Sequence, residues 1–184
     1  MSISSQTAPE KENQRVWITK KLLKDALIDL LQTTPMQKVT ISAICGKAGI
    51  NRTTFYKHYT DEISLYYDIQ NEVLEMLRNV LSVHGLDCLE ILFNFIKDNG
   101  KISNVIFNAG IDNTLPQKIF SLPEISELIR QEYKGPADPH FQQMFYFICH
   151  GGYALIKDWV NNGFNATATE MADTIKHIVS KLLC

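Results

Sequence analysis

Nothing in this sequence approaches the run of ~20 apolar residues that a bilayer-spanning helix needs. The opening stretch, MSISSQTAPEKENQR, has no basic start, apolar segment or small-residue cleavage site, so it reads as a polar tail (residues 1–14) and not as a signal peptide. Cysteine is sparse: Cys45, Cys88, Cys149 and Cys184 show no paired spacing, which excludes a disulfide framework. Cys45 and Cys149 fall on apolar faces as small hydrophobes, and a reducing, cytoplasmic location is expected. There is no G-x-S-x-G, no P-loop and no G-x-G-x-x-G, so nothing announces a hydrolase, a nucleotide site or a dinucleotide fold. His84, His140, His150 and His177 are scattered without ligand spacing, and neither a metal nor a cofactor is expected. Strand signals are weak and internal repeats are absent. An enzyme is the least supported class of function.

What is present is a helical pattern in an ordinary globular composition, 45% hydrophobic and 21% charged. Ile18, Leu22, Leu23, Ala26, Leu27, Leu30 and Leu31 form one stripe, which predicts a helix from Thr19 to about Gln32, closed by Thr33-Thr34-Pro35. Lys20, Lys21 and Lys24 read as its solvated face. Ile41, Ile44, Cys45 and Ala48 give a second, short helix capped by Thr40. Gly49 suits the left-handed conformation that ends a helix. Asn51 is a good N-cap for a third helix, Arg52 to Tyr59, that buries Phe55 and Tyr59. Arg52, Thr53, Thr54, Tyr56, Lys57 and His58 then face outward. Two helices joined by a glycine-containing turn, the second rich in donors, are a helix-turn-helix, whose second helix enters the major groove of DNA.

Charge supports this. The net charge is −2, yet residues 1–60 hold nine Lys or Arg against four acids, a local +5, and the remainder carries −7. Attraction to phosphate is concentrated at one end of the chain.

The segment resembles the TetR/AcrR family of bacterial one-component regulators. The resemblance rests on Thr40-Ile41-Ser42-Ala43-Ile44, then Ala48-Gly49-Ile50, then Thr54-Phe55-Tyr56-x-His58-Tyr59, within Val16 to about Leu65. It implies an all-α fold with a three-helix DNA-binding domain (15–60) and a helical effector-binding and dimerisation domain (61–184). It also implies that Thr40, Lys47 and Tyr56 meet DNA phosphate, and that Asn51, Arg52, Thr53, Thr54, Lys57 and His58 complete the DNA face. One departure is visible: after Asp61, Glu62 stands where the family has a lysine that approaches the DNA backbone.

Beyond residue 60 the pattern predicts a long helix over Asp61–Ser82, and helices at Asp87–Asp98, Lys101–Asn108 and Pro123–Tyr133. After a break at Gly135–Pro139 come two strong helices, His140–Asn162 and Thr169–Leu183. The first of these is apolar on more than one face, so it is either internal or covered by a second subunit. The stretch Phe145–Phe164 is similar to the C-terminal domain of a TetR subgroup that includes dihydroxyacetone kinase operon activators. The resemblance implies a dimer interface through Phe145, Ile148, Gly151, Gly152, Leu155, Trp159, Ile175, Ile178, Val179 and Leu182. Candidates for a small-molecule pocket are Phe93, Phe95, Phe107, Phe120, Tyr146 and Trp159, with plain core packing the alternative for each. The expected function is a homodimeric regulator, most often a repressor in this family, that binds a palindromic operator in double-stranded DNA under the control of an effector. An adaptor acting through protein contacts is the alternative.

Overall fold

The computed structural model describes residues 8–84, 88–111, 114–133, 135 and 139–183. Among them every regular element is helical. They are α1 (Ala8–Leu31), a short 3-10 turn (Met36–Lys38), α2 (Ile41–Ala48), α3 (Arg52–Phe55), α4 (Glu62–His84), α5 (Cys88–Asp98), α6 (Gly100–Asn108), α7 (Leu115–Phe120), α8 (Pro123–Glu132), α9 (Pro139–Asn161) and α10 (Ala168–Leu183). Packing separates two units, one up to Gln70 and one from Asn71 onward.

In the first unit α1 packs on α2, and α2 on α3. Leu23 and Leu27 of α1, Ile44 of α2, Phe55 of α3 and Leu65 of α4 are fully buried. Each such side chain contributes about 1.5–3 kcal/mol by leaving water. α1 begins well before Thr19. Glu10, Lys11, Glu12, Gln14 and Arg15 are good helix formers, and Pro9 fits a first turn, so a segment that reads as tail continues the helix backward. Thr19, which reads as a start, instead donates its hydroxyl to the Arg15 carbonyl one turn back (2.9 Å). Ile18 and Leu22 lie on the exposed side of α1. Lys24 is a correction of a different kind. It is 7% exposed, within the core, and not on a solvated face.

In the second unit α5 packs on α10 and α6, α9 on α6, α7 and α10, and α7 on α8. One buried cluster joins Phe93 and Ile96 of α5, Trp159 and Val160 of α9, and Ala168, Met171 and Ala172 of α10. A second joins Ile129, Ile148, Cys149, Val179 and Leu183. The Trp159 indole N–H donates to the Ala166 carbonyl (3.0 Å), which satisfies the one polar atom this ring buries. α9 ends on Gly163 and Phe164, both with positive φ (68° and 60°). Phe164 is held in that strained conformation by its ring, packed edge-on against Trp159 (5.0 Å). α10 starts on a reciprocal cap, with the Thr167 N–H on Glu170 Oε2 (2.7 Å) and the Glu170 N–H on Thr167 Oγ1 (3.1 Å). α7 is not anticipated by the sequence pattern; Pro116 lies in its first turn, where a missing N–H is harmless. Of the break at Gly135–Pro139, positions 136–138 lie outside the described residues, as do Asp87, Cys184 and the first seven positions.

Candidate nucleic-acid interface and cavity

The site in the first unit is built from caps. The Thr40 hydroxyl accepts from the Ala43 N–H (3.2 Å) and so fixes the start of α2, while its own proton is left to donate outward. Gly49 takes φ 67°, where the Ile50 N–H reaches back to the Cys45 carbonyl (3.0 Å) and turns the chain. Asn51 Oδ1 accepts from the Thr54 N–H (2.7 Å), which starts α3. α3 is shorter than the expected Arg52–Tyr59 helix. After Phe55 the bonds from Lys57 N–H to Thr54 and from His58 N–H to Phe55 span three residues, so the chain tightens to bring Tyr59 beside Phe55 (rings 5.8 Å apart).

On this frame Arg52, Thr53, Tyr56 and Lys57 are exposed, and Thr54 and His58 half-buried. Tyr56 rests its ring edge-on against Phe55 (5.6 Å) with half of its surface free. Lys47 forms a half-exposed ion pair with Asp29 (3.4 Å). The Cys45 thiol behind the turn is pushed up by burial, against a smaller pull from Arg52.

A polar network missed by sequence reasoning anchors the turn from beneath. The Tyr59 hydroxyl donates to Asp68 Oδ2 (2.7 Å), and the Lys24 ammonium sits 2.9 Å from the same oxygen. Lys20 lies 3.6 Å from it and over the Tyr59 ring. Burial raises the Asp68 carboxyl, but the bonds from Tyr59 and Lys24 and the two lysine charges outweigh it and hold the group below its usual range. The available signal was spacing. Lys20, Lys24, Leu27 and Leu31 recur on one helical face, so Lys24 points inward with the leucines.

The acidic pair after the turn has a local cause. Asp61 Oδ1 accepts from the Ser64 N–H (2.7 Å), and Ser64 Oγ accepts from the Thr60 and Asp61 N–H groups (3.1 and 3.2 Å). Asp61 therefore caps α4, and Glu62 in the first turn complements the helix dipole.

The second unit holds a partly open cavity of about 190 Å³. Phe95, Phe107 and Phe120 line it, with aliphatic side chains from α4 to α10. The other pocket candidates lie elsewhere. Phe93 and Trp159 are packed edge-on against each other in the core (5.7 Å), and Tyr146 stacks on His150 with 64% of its surface exposed.

Residues 84–181 match a TetR-type family model described as a transcriptional regulator C-terminal region. The chain belongs to the TetR family of transcriptional regulators. As a TetR-type regulator, and not an enzyme, it is similar to the HTH-type transcriptional regulator YxbF of Bacillus subtilis (strain 168), with 22% identity over 177 residues, 86% of this chain. It spans only 44% of that relative's length. Its fold is that of a TetR transcriptional regulator from Streptococcus agalactiae 2603V (TM-score 0.71, 20% identity, 93% of this chain and 98% of that one). The dihydroxyacetone kinase operon activator DhaS has the same fold (TM-score 0.64, 16% identity, 90% and 96% covered).

The interface candidates of this TetR-family chain divide into two groups. Ile148, Trp159 and Val179 are buried inside the unit, and Ile175 and Gly152 line the cavity, because α9 and α10 close over it. Phe145 and Leu182 are partly buried against the Ile148–Val179 cluster. Gly151, Leu155 and Ile178 remain exposed, and the structure adds Phe147, 65% exposed, to that set. Among the described residues no helix is long and apolar enough to cross a membrane, and no group of His, Cys, Asp and Glu is placed to hold a metal.

Proposed function

We propose that this protein is a homodimeric, cytoplasmic repressor that binds a roughly palindromic DNA operator and is controlled by a small molecule taken up in its second unit. The observation that carries the DNA reading is the capped turn. Gly49 and Asn51 hold α3 so that Arg52, Thr53, Tyr56 and Lys57 are exposed together, within the segment 1–60 that carries charge +5. Thr53 and Thr54 are short enough to reach base edges, and Arg52 can fork onto guanine or phosphate. Asn51 and Thr40 set the frame, and Thr40, Lys47, Tyr56, Lys57 and His58 supply phosphate contacts that fix register. Lys47 exchanges Asp29 for phosphate at little loss, since a half-exposed pair is worth at most about 1 kcal/mol. The Asp61 cap gives the acidic residue beside the turn a local role that needs no protein partner.

The test is binding to DNA from upstream of the gene, against scrambled DNA, over a range of salt. Lys47→Ala and Tyr56→Phe should weaken binding to every sequence. Lys47→Ala should also flatten the log–log salt slope by about 1. Thr53→Ala should change the preference among operator variants. Unchanged affinity and preference in all three would exclude this face as the DNA reader.

A further inference from the structure

We infer that the cavity of the second unit takes a small uncharged apolar molecule, the size of a benzene ring with one or two substituents, and excludes anions and polyols. The inference rests on the proposed effector control and names the chemistry of that effector.

The walls carry it. Leu77 of α4, Phe95 of α5, Ile106 of α6, Phe120 of α7, Ile148 of α9 and Val179 of α10 all line the space, which is partly open. Among the described lining residues there is no Asp, Glu, Lys, Arg or His. Besides Tyr153, whose ring packs on Phe107 (5.4 Å), the side chains with polar atoms at the wall are Ser103 and Cys149. The Ser103 hydroxyl is buried and already donates to the Ile96 carbonyl (2.8 Å). The Cys149 thiol, pushed up to about 12 by burial, stays neutral and is a weak donor. A carboxylate entering here would lose its water and meet no counter-charge, and a polyol would leave its hydroxyls unpaired. An apolar molecule loses nothing by entry and removes its own surface from water. Size follows from volume: an apolar cavity of about 150 Å³ accommodates benzene, and this one measures about 190 Å³.

Gly152 gives a position from which to test the assignment. It lies in the middle of α9, where alanine would favour the helix. A Cβ added there would meet nothing within 4 Å, so the room is not needed for packing inside the unit. Gly152 is part of the wall, so a side chain added there is a direct probe of the space.

The experiment is thermal unfolding of the full chain with toluene, benzoate or glycerol, which separates one ring with and without charge from a polyol. Saturating toluene should raise Tm by a few degrees, as expected for a ligand at about ten times its Kd. Benzoate at the same concentration, and glycerol at low millimolar concentration, should not. Gly152→Leu fills the space from α9 and Ile106→Phe from α6; each variant that unfolds cooperatively should lose the toluene shift. Absence of a toluene shift in the unsubstituted protein overturns the proposal. So does an equal shift with benzoate, or a toluene shift that survives both filled variants. Operator affinity with and without toluene is read separately. Toluene that raises Tm but leaves operator affinity unchanged overturns effector control through this cavity while the ligand class stands.

Discussion

Asp68 anchors the turn after α3 from within. Its carboxylate neutralises Lys24, whose side chain is 9% exposed, and accepts from the hydroxyl of Tyr59, the residue that closes the turn after α3. Burial opposes the charge, but the Tyr59 and Lys24 bonds prevail, so the folded-state pKa lies below the unfolded one. A depressed carboxyl pKa contributes stability that is complete above the unfolded value, about 3.9, and is lost as pH falls through the folded value. Asp68→Asn removes the carboxylate that Lys24 and Tyr59 share, and should lower stability at pH 7 by about 2 kcal/mol, the range for a hydrogen bond to a charged group. The difference between variant and parent should shrink as the pH is taken below the ordinary carboxylate range. Urea unfolding at a series of pH values measures both. A difference independent of pH would mean that the amide disrupts packing and that the charge is incidental.

At the scale of elements, what the sequence made legible was local chemistry. Thr40 and Asn51 are caps because a short side-chain oxygen beside a free N–H finds it without help from the rest of the fold. Gly49 is a stop because its φ of 67° suits glycine. Elements whose ends depend on tertiary packing were not legible in the same way. α3 gives way to three-residue bonds, after which Tyr59 meets both Phe55 and Asp68, and no spacing rule contains that long-range contact. Lys24 was misjudged because a lysine is usually solvated, and its partner lies 44 positions away in α4. α1 was read too short because a polar helix without an apolar face resembles a tail. Two glycines show how local rules diverge once the structure is known. Gly49→Ala forces a Cβ into the left-handed region and should destabilise by about 1 kcal/mol or more. Gly152→Ala, in regular helix with open space around the new methyl, should stabilise by up to about 1 kcal/mol. Urea midpoints moving in the same direction for both would contradict the backbone assignment of one of them.

For the molecule as a whole, the doubly apolar character of α9 posed a question that composition could not answer: which of its faces is internal. Within the second unit one side is used up by the protomer, as Ile148, Cys149, Trp159 and Val160 are buried. Another side leaves Tyr146, Phe147 and Leu155 on the surface, with Ile178 of α10 also exposed. Several large apolar side chains exposed on the two C-terminal helices are more than scattered surface hydrophobes, and a symmetric contact with a second copy would cover them. Phe147 is the sharpest test because it is 65% exposed and so contributes little to the fold of a single copy. Phe147→Glu places like charges on two copies meeting across a two-fold axis. It should leave the urea midpoint of the isolated protomer nearly unchanged, convert dimer to monomer at micromolar concentration in sedimentation velocity, and lower affinity for a palindromic operator at least tenfold. A variant that remains dimeric would move the subunit contact off this face of α9. A monomer that still binds the operator at full strength would instead separate DNA recognition from dimerisation, so that half-site contacts alone would have to account for affinity.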